Sequence, residues 1–135
     1  MSNNAQFEAD LQAFARAVGQ SLDKTVRAIT IEWFSSTVLS TPVDTGRLRG
    51  NWQLTIGAPA SSISATLDPT GSITQGNIVR GVGGMGKVTY LTNNLDYASK
   101  IEYGGSRTKA PRGMVRINFA RIKGIINRTV ASNAI

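Results

Sequence analysis

Seven consecutive residues, Gly81-Val82-Gly83-Gly84-Met85-Gly86-Lys87, satisfy two phosphate-binding patterns at once. As G-x-G-x-x-G they would cradle a dinucleotide pyrophosphate, and as G-x-x-x-x-G-K they would form a Walker A loop. Both patterns work because a helix begins where the loop ends, and its free amides meet the anion. Here the loop runs into Val88-Thr89-Tyr90-Leu91-Thr92, a β-branched and aromatic stretch that reads as a strand. Val88 also stands where magnesium would need Ser or Thr. A glycine-rich hairpin tip accounts for the segment without a nucleotide. A second triplet, Asp44-Thr45-Gly46, matches the active-site triplet of aspartic proteases, in which two subunits pair their carboxylates. Such enzymes are nearly all strand, whereas a helical stripe and Pro42 precede this triplet and Arg47 follows it. A guanidinium beside a carboxylate favours the ionised form and opposes a shared proton. Asp44 suits a turn, accepting backbone N–H bonds while Gly46 supplies a positive φ.

The wider inventory narrows the chemistry further. The chain has 135 residues, with no cysteine and no histidine. That excludes disulfides, thiol nucleophiles, Ser-His-Asp catalysis and nearly every zinc site. The eight acids form no D-x-D or E-x-x-E pair of the kind that signals a two-metal nuclease. No catalytic residue, cofactor or metal is expected. The charge, in contrast, is concentrated. Up to Glu102 basic and acidic residues balance, and after it come only Arg107, Lys109, Arg112, Arg116, Arg121, Lys123 and Arg128. This basic end suits a polyanion, an acidic protein surface or plain solvation. The N-terminus lacks the pattern of a signal peptide, and no apolar run approaches the ~18 residues of a membrane span.

The elements that must position these residues fall into one α+β domain over residues 1–135. Helices at the N-terminus and one at the C-terminus are expected to pack on a small, mainly antiparallel sheet with a long loop. Phe7, Leu11, Phe14, Val18, Leu22, Val26, Ile29 and Trp33 recur at helical spacing and predict a stripe that faces core or partner. Gly19 and Ser21 are a place where this helix could divide, and Pro42 ends it. Alternation predicts strands at Trp52–Ile56, Ile63–Leu67 and Lys87–Asn93, with Ile78-Val79-Arg80 as a possible fourth. The stretch Asp68 to Gly86, rich in Gly, Ser, Thr and Asn, reads as a loop or long hairpin tip. A short helix over Asp96–Glu102 precedes the Gly104-Gly105 break. A last helix from near Gly113 carries the stripe Val115, Phe119, Ile122, Ile126 and Val130.

Two blocks together resemble a known family. One is Thr41-Pro42-Val43-Asp44-Thr45-Gly46-Arg47-Leu48-Arg49-Gly50-Asn51-Trp52. The other is Tyr97-Ala98-Ser99-Lys100-Ile101-Glu102-Tyr103-Gly104-Gly105, followed by Ala110-Pro111-Arg112-Gly113-Met114-Val115-Arg116. With a helix before and after, they resemble the head–tail joining and tail-completion proteins of long-tailed bacteriophages, often labelled neck or minor tail proteins. The resemblance implies a virion protein without catalysis, assembled in the host cytoplasm. It implies a homo-oligomeric ring, commonly hexameric, whose partners are the tail tube protein and the head-completion or connector proteins. DNA would pass through its channel without being specifically bound, and no membrane is involved. A small basic nucleic-acid-binding domain using the C-terminal helix is the alternative, and a dimeric hydrolase using Asp44 is a third possibility.

Within that frame Asp44, Gly46, Arg47, Arg49, Glu102 and Gly105 are expected to form one structural hub. Asp44 would pair with Arg47 or Arg49, and Glu102 would accept from one of those arginines or from amides near Gly105. Candidate interface residues are Gly71, Ile73, Ile78, Arg80 and Met85 on the predicted loop, read as an arm. Arg107, Lys109, Arg112, Arg116 and Lys123 are the candidates on the basic end.

Overall fold

The computed structural model describes residues 2–103, 113–121, 124, 126–128 and 131. Its first element is α1 (Ser2–Leu39), a single helix that does not divide at Gly19. One internal glycine costs a helix only about 1 kcal/mol, and the residues on both sides sustain the pattern. The helix ends before Pro42, as its ring geometry requires. Thr37 and Thr41 close the last turns by donating their hydroxyls to the carbonyls of Trp33 and Thr37, at 3.0 and 2.8 Å.

The chain then forms α2 (Arg47–Gly50), β1 (Gln53–Ile56), α3 (Ser72–Gly81), β2 (Thr89–Thr92), α4 (Ala98–Glu102) and α5 (Val115–Ala120). After a turn at Arg121, the described residues 124, 126–128 and 131 are helical. β1 and β2 pair antiparallel, with Gln53 opposite Thr92 and Ile56 opposite Thr89. The α+β class and the antiparallel pairing are as expected, with α1 and α3 packed on a two-stranded sheet. Val38, Leu48, Trp52, Ile78, Leu95, Ala98 and Met114 make the buried core, with Ile31, Phe34, Leu54, Leu91 and Ile101 packed around it.

Three expectations are corrected. Residues 63–67 make no strand, and side-chain amides take backbone bonds at Ser62 and Ser64. Asn51 donates to the Ser64 carbonyl at 3.0 Å and accepts from the Ser64 amide at 2.8 Å, while Gln53 and Asn94 both donate to the Ser62 carbonyl. Residues 78–80 are helix, not a fourth strand, and the expected long loop contains all of α3. The described positions of the expected C-terminal stripe, Val115, Phe119 and Ile126, are partly exposed rather than buried, with Phe119 against the Trp33 ring of α1. Phe119 is 58% exposed, while Asn118 between the stripe positions is fully buried. Asn118 donates its amide to the carbonyls of Ser36 and Met114 and to the Ser40 hydroxyl, so the polar residue joins α5 to α1.

Candidate functional site

The first block builds one node around Arg49. Its guanidinium donates to the carbonyls of Thr41 at 2.9 Å, Pro69 at 2.9 Å and Leu39 at 3.1 Å. Leu39 is the last residue of α1, so Arg49 satisfies carbonyls that a helix end leaves without partners. The same fork reaches the segment leading into α3. Only a planar guanidinium has donors in this geometry. Arg49→Lys is therefore expected to lower stability by about 1–2 kcal/mol, read as an earlier urea midpoint with an unchanged slope.

Gly46 lies in the turn that leads into α2 beside this node. It has φ +87°, and its carbonyl accepts from Gly50 at 2.9 Å and from Asp68 at 2.9 Å. A Cβ there would strike the backbone of Asp68 and Pro69, so both conformation and space demand glycine. Trp52 completes the node by donating its indole N–H to the buried Thr41 hydroxyl at 2.8 Å.

Asp44 does not belong to it. It is exposed in the turn between α1 and α2, and among the described residues it pairs with neither Arg47 nor Arg49. Arg47 is also exposed, and its amide donates to the Thr45 hydroxyl at 3.3 Å. The buried acid of this region is Asp68, which the sequence reading missed. Its carboxylate accepts from the amides of Thr74 at 2.7 Å and Ile73 at 3.3 Å, in the first turn of α3. Burial opposes its ionisation most strongly, but the bonds from Thr74, Ile73 and Gly71 outweigh burial and hold its carboxyl below the ordinary value. A signal was present: Asp68-Pro69-Thr70-Gly71 is a turn-former directly before a helix.

Glu102 forms a second, separate node. One carboxylate oxygen accepts from the amides of Met114 and Val115, both at 2.7 Å. The other accepts from the Arg116 amide and guanidinium, both at 3.0 Å. Arg116 also donates to the Glu102 carbonyl and lies over the Tyr103 ring, 4.9 Å from its centroid. The expected bond to Arg47 or Arg49 is thus replaced by bonds to the start of α5. Gly113, at φ +81°, allows the approach, because a Cβ there would meet the Glu102 carboxylate. Burial opposes ionisation of Glu102, yet the amides of Val115, Arg116 and Met114 and the guanidinium of Arg116 set its carboxyl below the ordinary value. Gly105 lies outside the described residues.

The glycine-rich stretch docks on the middle of α1. Arg27 donates to the Val82 carbonyl at 2.7 Å, Asp23 accepts from the Met85 amide at 3.0 Å, and Asp23 and Arg27 pair at 2.8 Å. A Cβ at Gly84 would strike the Asp23 carboxylate. The loop leads into β2, so no helix N-terminus backs it as a phosphate site requires. Among the described residues no three acids converge as a metal site would need. Asp44 lines an open cleft of about 240 Å³ with Val43, Arg47, Leu48, Tyr97 and Ile101, and no second carboxylate lines it.

The candidate interface residues separate. Gly71 and Ile78 are buried and serve packing, so they cannot present a surface. Ile73, Arg80 and Met85 are exposed. Arg116 is engaged with Glu102, and Arg128 pairs with Glu32 at 2.6 Å. Arg107, Lys109, Arg112 and Lys123 lie outside the described residues. One exposed apolar surface was legible only as a stripe. Phe7, Leu11 and Phe14 are 67%, 54% and 66% exposed, and every residue from 5 to 17 is exposed. No described helix is long and apolar enough to cross a membrane.

These features define a small α+β domain with a long, partly uncovered N-terminal helix. No family model matches the chain, and neither curated proteins nor solved structures provide a match.

Proposed function

We propose that this chain is a structural component of a long-tailed phage virion. It would be a ring-forming neck or tail-completion subunit that joins the tail to the head connector, touching copies of itself, the tail tube protein and head-completion proteins. The two sequence blocks carry this reading. Their polar residues work as fasteners: Arg49 closes the end of α1, and Glu102 closes the start of α5. The observation that supports it best is the exposed apolar stripe of α1. A helix that shows two phenylalanines and a leucine to solvent is built for contact with protein. The basic end supports the nucleic-acid reading less well, since two of its arginines are held in ion pairs.

In a phage encoding this chain, its removal is expected to leave heads and tails unjoined in negative-stain images. Joined, infectious particles made without it would refute the proposal. The purified chain is also expected to leave duplex DNA unshifted in a gel at about 100 mM salt. A shift that weakens steeply with added salt would favour the alternative.

A further inference from the structure

We infer that the uncovered half of α1 is a homodimerisation surface, occupied by the same segment of a second copy running antiparallel. This holds whatever the station of the chain in a particle, and concerns the free protein. A helix of about 20 residues without tertiary cover is marginal in water, and here it carries Phe7, Leu11, Phe14 and Leu22 at 38–67% exposure. They lie with Val18 on one face at spacings of four, three, four and four, which keeps a nearly straight stripe on an α-helix.

Charge selects the partner and its direction. The N-terminal end of the segment carries Glu8 and Asp10, and Lys24 stands at its other end. At about 100° per residue Asp10 and Lys24 fall on the same flank of the stripe. In an antiparallel pair like flanks meet. A two-fold axis near residues 16 and 17 sets Leu11 opposite the second copy's Leu22, Phe14 opposite its Val18, and Asp10 opposite its Lys24. One axis thus satisfies two apolar matches and the ion pair, each occurring twice by symmetry. A parallel pair would hold Asp10 of one copy and Lys24 of the other about 21 Å apart along the axis and would forgo the ion pair. Near the axis the flanks carry Ala15, Ala17 and Gly19, and a Cβ at Gly19 would meet nothing within its own chain. Small residues there let two helices approach closely.

Sedimentation equilibrium of the full chain tests this. A dimer is expected at about 100 µM protein in low salt, with a dissociation constant in the micromolar range. Phe14→Glu should weaken it at least about 30-fold, with circular dichroism showing the body still folded. Asp10→Lys alone and Lys24→Asp alone should each weaken it about 5-fold or more, and the double exchange should restore it. A monomer at that concentration overturns the inference. So does a dimer indifferent to Phe14→Glu, and so does a failure of the double exchange to rescue, which would place the helix on some other surface.

Discussion

Replacing Glu102 by alanine is expected to remove about 2–4 kcal/mol of folding stability and to lower the melting temperature by roughly 6–15 °C. Four donors converge on this carboxylate, three of them backbone amides at the start of α5. Met114 is buried, so its amide would be left without water or protein to accept from it. The Arg116 side chain is half exposed, and its ion pair alone would contribute little. The amides carry the effect. Acid provides the second reading. The folded carboxyl titrates below its ordinary value of 4.5, so its contribution is complete above that value and is lost as pH falls through the lower folded value. The gap between parent and Glu102→Ala should therefore be full near neutrality and should close in strong acid. Thermal melts followed by circular dichroism across that range measure it. A variant melting within a degree or two of the parent at neutral pH would show that α5 is held by other means.

The parts of this fold that were legible in the sequence share one property: their pattern and their packing agree. α1 has helical spacing and Pro42 as a stop, and β1 and β2 alternate and pair. Gly46 precedes a turn that needs a positive φ. Where tertiary contacts decide, the pattern misled. Ser72–Gly81 has glycine, serine, threonine or asparagine at half of its positions, the composition of a loop. It is helical because Asp68 accepts from its first amides and because Ile78 and Thr74 fill the interior beside α1. Tertiary burial overrode propensity. α5 shows the reverse case. Its apolar positions Val115 and Phe119 suggested an inward face, yet Asn118 is inside, since its amide finds acceptors on α1.

The predicted hub was divided for the same reason. Asp44 and Glu102 stand in the two blocks that carry the resemblance, and proximity of both to arginines suggested a single network. The structure gives each arginine a different task. Arg49 serves carbonyls only, and Arg116 serves Glu102. The two nodes fasten different elements: one ties α1 to α2 and the entry of α3, and the other ties α4 to α5. Neither leaves a carboxylate free to act on a substrate within its own node, because every described oxygen of Glu102 and Asp68 already accepts a backbone bond.

The contrast between two aspartates is the second large expected result. Asp68→Ala should lower stability by about 2–3 kcal/mol, while Asp44→Ala should change it by no more than about 0.5 kcal/mol. Asp68 is 1% exposed, and its carboxylate accepts from Thr74, itself buried, and from Ile73. Without it the first turn of α3 opens onto an uncompensated interior, and Ile78 loses its backing. Asp68→Asn keeps one oxygen for the Thr74 amide and should cost roughly half as much. Asp44 has only solvent and an open cleft around it, so its removal strands no donor. Equal melting temperatures for the Asp44 and Asp68 alanine variants would contradict the assignment of the cap. Because the folded Asp68 carboxyl also lies below its ordinary value of 3.8, its contribution is lost only in stronger acid than that. The stability gap between parent and Asp68→Asn should therefore be full near neutrality and should close as pH falls below 3.8.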